Sequence, residues 1–178
     1  MVAFPEAQRR AQAELDAVVG RDRLPTFSDA PHLPYMHAIV KETLRWRPAA
    51  PLGIPHVATG EDWYEEMYIP KGTVCVANIW QCNHDQAVYG EDADEFRPER
   101  FLNSRGELTS GPMDANQEGH SSYGFGRRNC VGKVLANDSL FIYMARTLWA
   151  VNIERVWDES GNEVLPDTDS FVDMGLTM

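Results

Sequence analysis

The sequence predicts a mainly α-helical fold with small β-sheets, and three observations carry that reading. Apolar residues recur at helical spacing in three separate stretches. Between the second and the third, short β-prone runs alternate with proline- and glycine-bearing turns and are too scattered to close a sheet on their own. Of 178 residues, 43% are apolar and 24% charged, a globular composition with enough apolar material for a sizeable core.

The elements follow in order. Pro5 suits a first helical turn, where an amide partner is not needed. Ala7, Ala11, Leu15, Val18 and Val19 then repeat at helical spacing until Gly20, which predicts a helix over 5–19. The proline-bearing stretch RDRLPTFSDAPHLP reads as a linker. A second helix is expected over 34–45, with Met36, Ile39, Val40, Thr43 and Leu44 along one side. Pro48 and Pro51 end it, because proline lacks the amide and restrains the residue before it. Residues 52–79 form a β region, with strands expected in LGIPHVAT and TVCVANI and a turn at the Pro-Lys-Gly between them. Residues 83–101 read as short helical turns and, over 96–101, the extended piece FRPERF. Residues 103–122 are polar and rich in Gly, Ser and Asn, the composition of a surface loop. A third long helix is expected over 132–149, with Val134, Leu135, Phe141, Met144, Ala145 and Leu148 on a broad apolar face. The tail, 151–178, reads as a hairpin of VNIERVW and VLPDTDSF about an Asp/Gly/Asn turn. Two helices, scattered strands and a third helix are an odd inventory for a complete domain, so the chain reads as a piece of a larger fold.

Charge and cysteine usage exclude several classes. With 27 acidic and 16 basic residues the net charge is −11, which argues against general nucleic-acid binding. The first residues carry arginines and acids and resemble neither a signal peptide nor a membrane span, and the apolar stretch SLFIYMARTLWAVNI is short and interrupted by Arg146. No membrane anchor is expected within this chain. Cys75, Cys82 and Cys130 cannot make a disulfide framework, and the odd count leaves a thiol free or committed to another ligand. A zinc site is disfavoured: there is no C-x-x-C, and His32, His37, His56, His84 and His120 do not fall at ligand spacing.

The most informative segment is YGFGRRNCVG, Tyr123–Gly132, directly before the third helix. Its glycines allow a tight turn and close backbone approach to a flat ligand. Amides at a helix start favour a nearby anion, which suits a thiolate at Cys130. Arg127 and Arg128 add positive charge able to pair with carboxylates. A planar iron-bearing ligand with acidic side groups would use all of these together. A buried free cysteine beside a turn is the bland alternative.

This segment resembles the haem-binding signature of the cytochrome P450 family, F-x-x-G-x-R-x-C-x-G. Two further motifs agree in order: KETLRWRP resembles the family's E-x-x-R helix, and FRPERF its P-E-R-F segment. The resemblance extends over nearly the whole chain, and the flanks of these motifs look like those of fungal, particularly basidiomycete, microsomal members active in secondary metabolism. It implies a partial cytochrome P450 fold, with 1–178 a C-terminal fragment of one such domain and the helix over 5–19 similar to the family's helix J. It implies Cys130 as axial ligand of a haem b iron, Arg128 and His56 as propionate partners, and Tyr123, Gly126 and Gly132 as residues shaping the cofactor loop. Glu42, Arg45 and Arg100 would form a structural Glu–Arg–Arg network, and Ala49, Ala50, Leu52, Gly53 and Ile54 a substrate-contacting segment. Trp80 and His84 would be core and helix-start residues. The implied activity is haem-thiolate monooxygenation of a small apolar substrate, with electrons from NADPH through NADPH–cytochrome P450 reductase, at the endoplasmic reticulum membrane in a full-length relative. Three departures stand out: Tyr123 where the pattern has Phe, Val131 where many fungal members have Pro, and Glu66 where glycine is usual. The family's oxygen-activating segment, A/G-G-x-D/E-T, has no match in this chain. The alternative is therefore a truncated, non-catalytic haem-binding or interaction module, poorly soluble alone.

Overall fold

The computed structural model of the chain describes residues 1–111, 118–165 and 167. Three helices make its core: α1 (Pro5–Val18), α2 (Pro34–Trp46) and α5 (Lys133–Ala150). Between α2 and α5 lie the strands β1 (His56–Val57), β2 (Asp62–Tyr64), β3 (Met67–Ile69) and β4 (Val74–Cys75), then the short helices α3 (Ile79–Asn83) and α4 (Gln86–Tyr89). After α5 come β5 (Val156–Trp157) and β6 (Glu163–Val164).

Helix α2 is the centre. Tyr35, Met36, Ala38, Ile39, Val40, Glu42 and Arg45 are all buried, so it is covered on several sides, by α1, α5 and the turn Pro98–Phe101. The core joins Ala11 and Leu15 of α1, Met36 and Ile39 of α2, and Phe141, Ala145 and Leu148 of α5. Burying side chains of this size stabilises by about 1.5–3 kcal/mol each. Helix α2 begins at Pro34 without a capping side chain of its own. Glu14 of α1 supplies the cap instead: its two carboxylate oxygens accept the backbone N–H groups of Tyr35 (2.9 Å) and Met36 (3.0 Å). The capped pair sets the angle between the two helices.

Several expectations need correction. Val18 is exposed, and Gln8 is buried in its stead; the Gln8 amide holds the backbone of Ile153 through both its donor and its acceptor (3.1 and 3.0 Å). Residues 27–32, read as linker, form a 3-10 turn, because the Asp29 carboxylate gathers Thr26 N (2.9 Å), the Thr26 hydroxyl (3.0 Å) and both Arg23 terminal nitrogens (2.8 and 2.6 Å). FRPERF is not extended: Pro98–Phe101 is a 3-10 turn that buries Phe101 completely. On α5, Val134 and Leu135 are exposed, since the core reaches only the face of Phe141, Ala145 and Leu148.

The strands are shorter than expected and make separate two-stranded antiparallel ladders: β1 with β4, β2 with β3, β5 with β6. β1 can begin no earlier than His56, because Pro55 offers no ladder amide. β4 stops because Asn78 caps α3, its side-chain oxygen accepting Gln81 N at 3.0 Å. The β2–β3 hairpin falls at Tyr64–Lys71, where the resemblance implies a strand turn, and pairs Trp63 with Tyr68 about the turn Glu65–Glu66. Its left-handed residue is Glu65, with φ 53°, not Glu66. The expected tail hairpin is met at β5–β6, and 166 and 168–178 lie outside the described residues. The stretch 103–122 is not surface throughout: His120 is wholly buried and Ser121 nearly so, and 112–117 lie outside the described residues. Gly111 and Gly119 both lie on the Phe101 ring. A Cβ on Gly111 would stand 2.7 Å from that ring, and one on Gly119 2.6 Å from it and from the Ser110 carbonyl. The Gly119 carbonyl accepts the Tyr89 hydroxyl at 3.0 Å.

Candidate functional site around Cys130

The loop before α5 is held by a few backbone bonds. Gly124 N donates to Ser121 O (2.9 Å), Asn129 N to Gly126 O (3.3 Å) and Cys130 N to Tyr123 O (2.8 Å). Between them Gly126–Arg128 make a 3-10 turn, entered through Gly126 at φ 58°, a conformation costly for any side-chain-bearing residue. The turn folds the loop back so that Cys130 lies beside Tyr123, with its thiol exposed. Helix α5 starts at Lys133, and Gly132 is its N-terminal flank rather than its first residue. A Cβ on Gly132 would stand 3.8 Å from the Cys130 sulfur and touch nothing else, so glycine there keeps the approach to the thiol clear. Phe125 and Val131 are exposed on the same loop, Val131 completely. Arg127 and Arg128 are exposed as well and have no ion pair among the described residues.

Behind the loop, Tyr123 is buried. Its hydroxyl donates to the Asn137 side-chain oxygen at 2.6 Å. Burial above all, with the negative charge of Glu118 next, leaves the phenol pushed up to about 12, so it is a standing donor.

A buried ionic network lies on the other side of α2. Glu42 and Arg45, three apart, are both completely inaccessible. Arg45 Nε and Nη2 donate to the two Glu42 oxygens (2.7 and 2.8 Å), and its remaining donors meet the carbonyls of Asn83 (2.7 Å), Ala93 (2.6 Å) and Glu95 (2.8 Å). Arg100 Nε reaches Glu42 at 3.1 Å and its Nη1 and Nη2 reach the carbonyls of Tyr89 (3.0 Å) and Asp92 (2.9 Å). The backbone N–H of Arg97 donates to Glu42 at 2.7 Å. Every charge is paired and every donor placed, the condition under which buried ions are tolerated. Nothing in this arrangement can move a proton or attack a substrate; it ties α2 to the segment 83–100.

Asn83 connects the network to the loop, and sequence reasoning passed it over. Its side chain accepts Ser121 N (2.8 Å) and donates to the Ser122 hydroxyl (2.9 Å), which donates to the Leu44 carbonyl (2.6 Å). Its burial is the signal, and a one-dimensional pattern does not carry that.

The remaining candidates are placed as follows. His56 is exposed on β1, opposite Cys75. Ala49, Leu52 and Ile54 are exposed, and Gly53 turns against Ile79 after donating its N–H to Ala50 O at 3.0 Å. No hydrogen bond or ion pair among the described residues joins these positions to the Cys130 loop. Trp80 lies in the first turn of α3 and His84 is buried just after its end, the two rings stacked at 4.2 Å with the His84 Nδ1 against the Trp80 carbonyl (2.8 Å). Burial, foremost, lowers its pKa. A cavity of about 370 Å³ lies between the start of α1, the end of α2 and α5, lined by Phe4, Trp46, Phe96 and Tyr143 among others, with no residue of the cysteine loop.

The donor set fits one kind of metal group. Among the described residues no three His, Cys, Asp or Glu side chains gather to hold an ion. An accessible thiol with a clear approach, and guanidinium groups on the same loop without an ion pair among the described residues, suit a metal that brings its own planar ligands and acidic groups, as a haem does. The family model described as cytochrome P450 matches residues 1–164. The chain belongs to the cytochrome P450 family. The observed helices and small ladders are thus part of a cytochrome P450 fold, and the family implies a haem cofactor. A cytochrome P450 monooxygenase of Armillaria gallica is 54% identical over 99% of this chain and 34% of its own length. Cytochrome P450 monooxygenase 58 of Postia placenta is 51% identical over 99% of this chain and 33% of its own length, and the monooxygenase yanC of Aspergillus niger 45% over 95% and 32%. The chain spans about a third of the length of these cytochrome P450 relatives. No helix among the described residues is long and apolar enough to cross a membrane.

Proposed function

We propose that this chain forms the thiolate side of a haem b monooxygenase, with Cys130 as the axial ligand. The observation that carries the reading is the exposed Cys130 thiol on a glycine-turned loop, in a chain whose described residues gather no three side chains able to hold an ion. When bound, the haem supplies the dioxygen chemistry by which one oxygen atom enters an apolar organic substrate. The residues of this chain bind and orient it. Gly126 and Gly132 leave room for the planar face, Arg128 and His56 offer cations or donors to the propionates, and Phe125 and Val131 give it an apolar bed. Tyr123 keeps its proton and holds the loop. Glu42, Arg45 and Arg100 keep the scaffold rigid. The exposed apolar segment Ala49–Ile54 is the part of this chain we assign to contact with a small apolar substrate. NADPH–cytochrome P450 reductase is the electron donor assigned to the whole protein, and the endoplasmic reticulum membrane its location.

The second reading is haem binding without oxygenation. One experiment separates the two. The protein is reconstituted with haemin and reduced under carbon monoxide, and NADPH-dependent product formation is followed with a fungal reductase. A long-wavelength ferrous–CO band, lost in Cys130→Ala, supports thiolate ligation; product formation adds oxygenation, and its absence leaves haem binding alone. A Cys130→Ala protein that keeps the band removes Cys130 from the ligand role.

A further inference from the structure

We infer that Tyr123, through its hydroxyl, is a positioning residue for Cys130, anchored on a chain of side chains formed by Asn137, Glu118, Lys133 and Lys41. The inference deepens the haem-thiolate reading and rests on it for its meaning, though its geometry stands apart from any cofactor.

Cys130 hangs from Tyr123: its backbone N–H donates to the Tyr123 carbonyl at 2.8 Å, so wherever Tyr123 sits, the thiol follows. Tyr123 is fixed at its far end. Its hydroxyl donates to the Asn137 oxygen at 2.6 Å, and the Asn137 amide donates to a Glu118 carboxylate oxygen at 3.2 Å. Lys133 approaches the other oxygen at 3.3 Å. Lys133 and Asn137 stand four apart on α5, on one face, which is why a single carboxylate can serve both. Lys41 of α2 donates to the Glu118 carbonyl at 2.6 Å and lies 3.7 Å from its carboxylate. The Glu118 and Lys41 side chains are each only 15% exposed, a setting in which linked hydrogen bonds strengthen one another. The thiol loop is therefore held to both α2 and α5 by side chains, in addition to its own backbone bonds. A phenylalanine at 123, the residue of the family pattern, would fill the same space but leave the Asn137 oxygen without this donor. The anchor belongs to chains that carry the tyrosine.

The test reads the Cys130 backbone amide and needs no haem. In the 178-residue chain, hydrogen exchange of the Cys130 N–H, which is bonded to the Tyr123 carbonyl, is timed. Tyr123→Phe should speed that exchange roughly three- to ten-fold, the factor that loss of one hydrogen bond accounts for. Asn137→Ser should do the same from the other end and answers independently if one variant melts early. The double variant should be no faster than either single one, because both cut the same link. Ile39→Val, which loosens the core away from the loop, should leave the rate within two-fold (roughly) at matched distance below its melting point. Unchanged exchange in both single variants, additive increments in the double, or equal acceleration by Ile39→Val overturns the inference. Haemin titration of the same proteins is a separate arm. Faster exchange without haemin binding upholds the anchor and counts against the proposed function; haemin binding with unchanged exchange does the reverse.

Discussion

Arg45 has no exposed atom and no idle donor, and its planar fork faces three carbonyls and a carboxylate at once. Lysine cannot reproduce that geometry. Arg45→Lys should therefore destabilise by about 3–5 kcal/mol, the range for breaking a buried pair, and urea unfolding would read it. A loss below about 1 kcal/mol, the surface-pair range, would mean that the buried network contributes little. His37 gives a second prediction at this scale. Its ring stacks on Phe141 at 4.6 Å, its Nε2 faces the Ala30 carbonyl at 3.1 Å, and burial, foremost, lowers its pKa. The fold thus favours the neutral ring. The stability this supports is complete above the ordinary histidine value of about 6.5 and is lost as pH falls through the lowered folded value. Melting temperature should drop between about pH 7 and pH 5, and His37→Gln should flatten that slope. An identical slope in both proteins would assign the pH response to other groups. Asp29, held well below the carboxylate range foremost by its hydrogen bonds to Arg23, acts in a separate window, losing its contribution only as pH falls below about 4. At this scale the sequence is readable where spacing carries meaning: Glu42 and Arg45 lie three apart on a helix, and one glance pairs them. Asn83, Glu118 and Asn137 owe their places to contacts between residues far apart in the chain, and no local pattern marks them.

Among the elements, legibility follows length. The long helices are bounded by Pro5, Gly20, Pro34 and Pro48 and show their periodicity plainly, so their limits shift by a residue or two at most. The 3-10 turns at 27–32 and 98–101 are too short for a period and hide behind prolines that also mark linkers. The β2–β3 hairpin is legible from the resemblance alone and not from its own residues: its turn is Glu65–Glu66, with neither the glycine nor the asparagine that announces a two-residue turn. Glu65 adopts φ 53°, a conformation that costs an L-residue about 1–2 kcal/mol. Glu65→Gly should relieve it, less the roughly 0.5–1 kcal/mol of added chain entropy. A net gain of up to about 1 kcal/mol is expected, visible as a higher melting temperature or slower amide exchange across the hairpin. Glu66→Gly, although it restores the residue usual in the family, should bring no gain, because Glu66 does not carry the left-handed backbone. If Glu66→Gly were the stabilising change, the turn would have to be read in the other register.

For the molecule as a whole, the main apolar cluster is the α1–α2–α5 packing, and a set of apolar side chains elsewhere faces outward. Leu52, Ile54, Val57, Val74, Val131, Val134 and Leu135 are all more than half exposed despite the net charge of −11. The sequence marks these residues as apolar but not as outward-facing, because which face of a short strand or first helical turn meets the core is a property of the assembled fold. One consequence concerns the glycines at 111 and 119. With the Phe101 ring they close like a clasp that has no slack: a carbon added at Gly111 would meet the ring at 2.7 Å and Gly119 at 3.1 Å, and one added at Gly119 would meet the ring and the Ser110 carbonyl at 2.6 Å. Gly119→Ala should therefore cost about 1–3 kcal/mol by forcing ring and backbone apart. Phe101→Leu in the same chain should return part of that loss, because it removes the ring the new carbon meets, and urea unfolding of the two single variants and the double would read it. Strictly additive losses would show that the Ser110 carbonyl, and not the ring, sets the fit of the clasp.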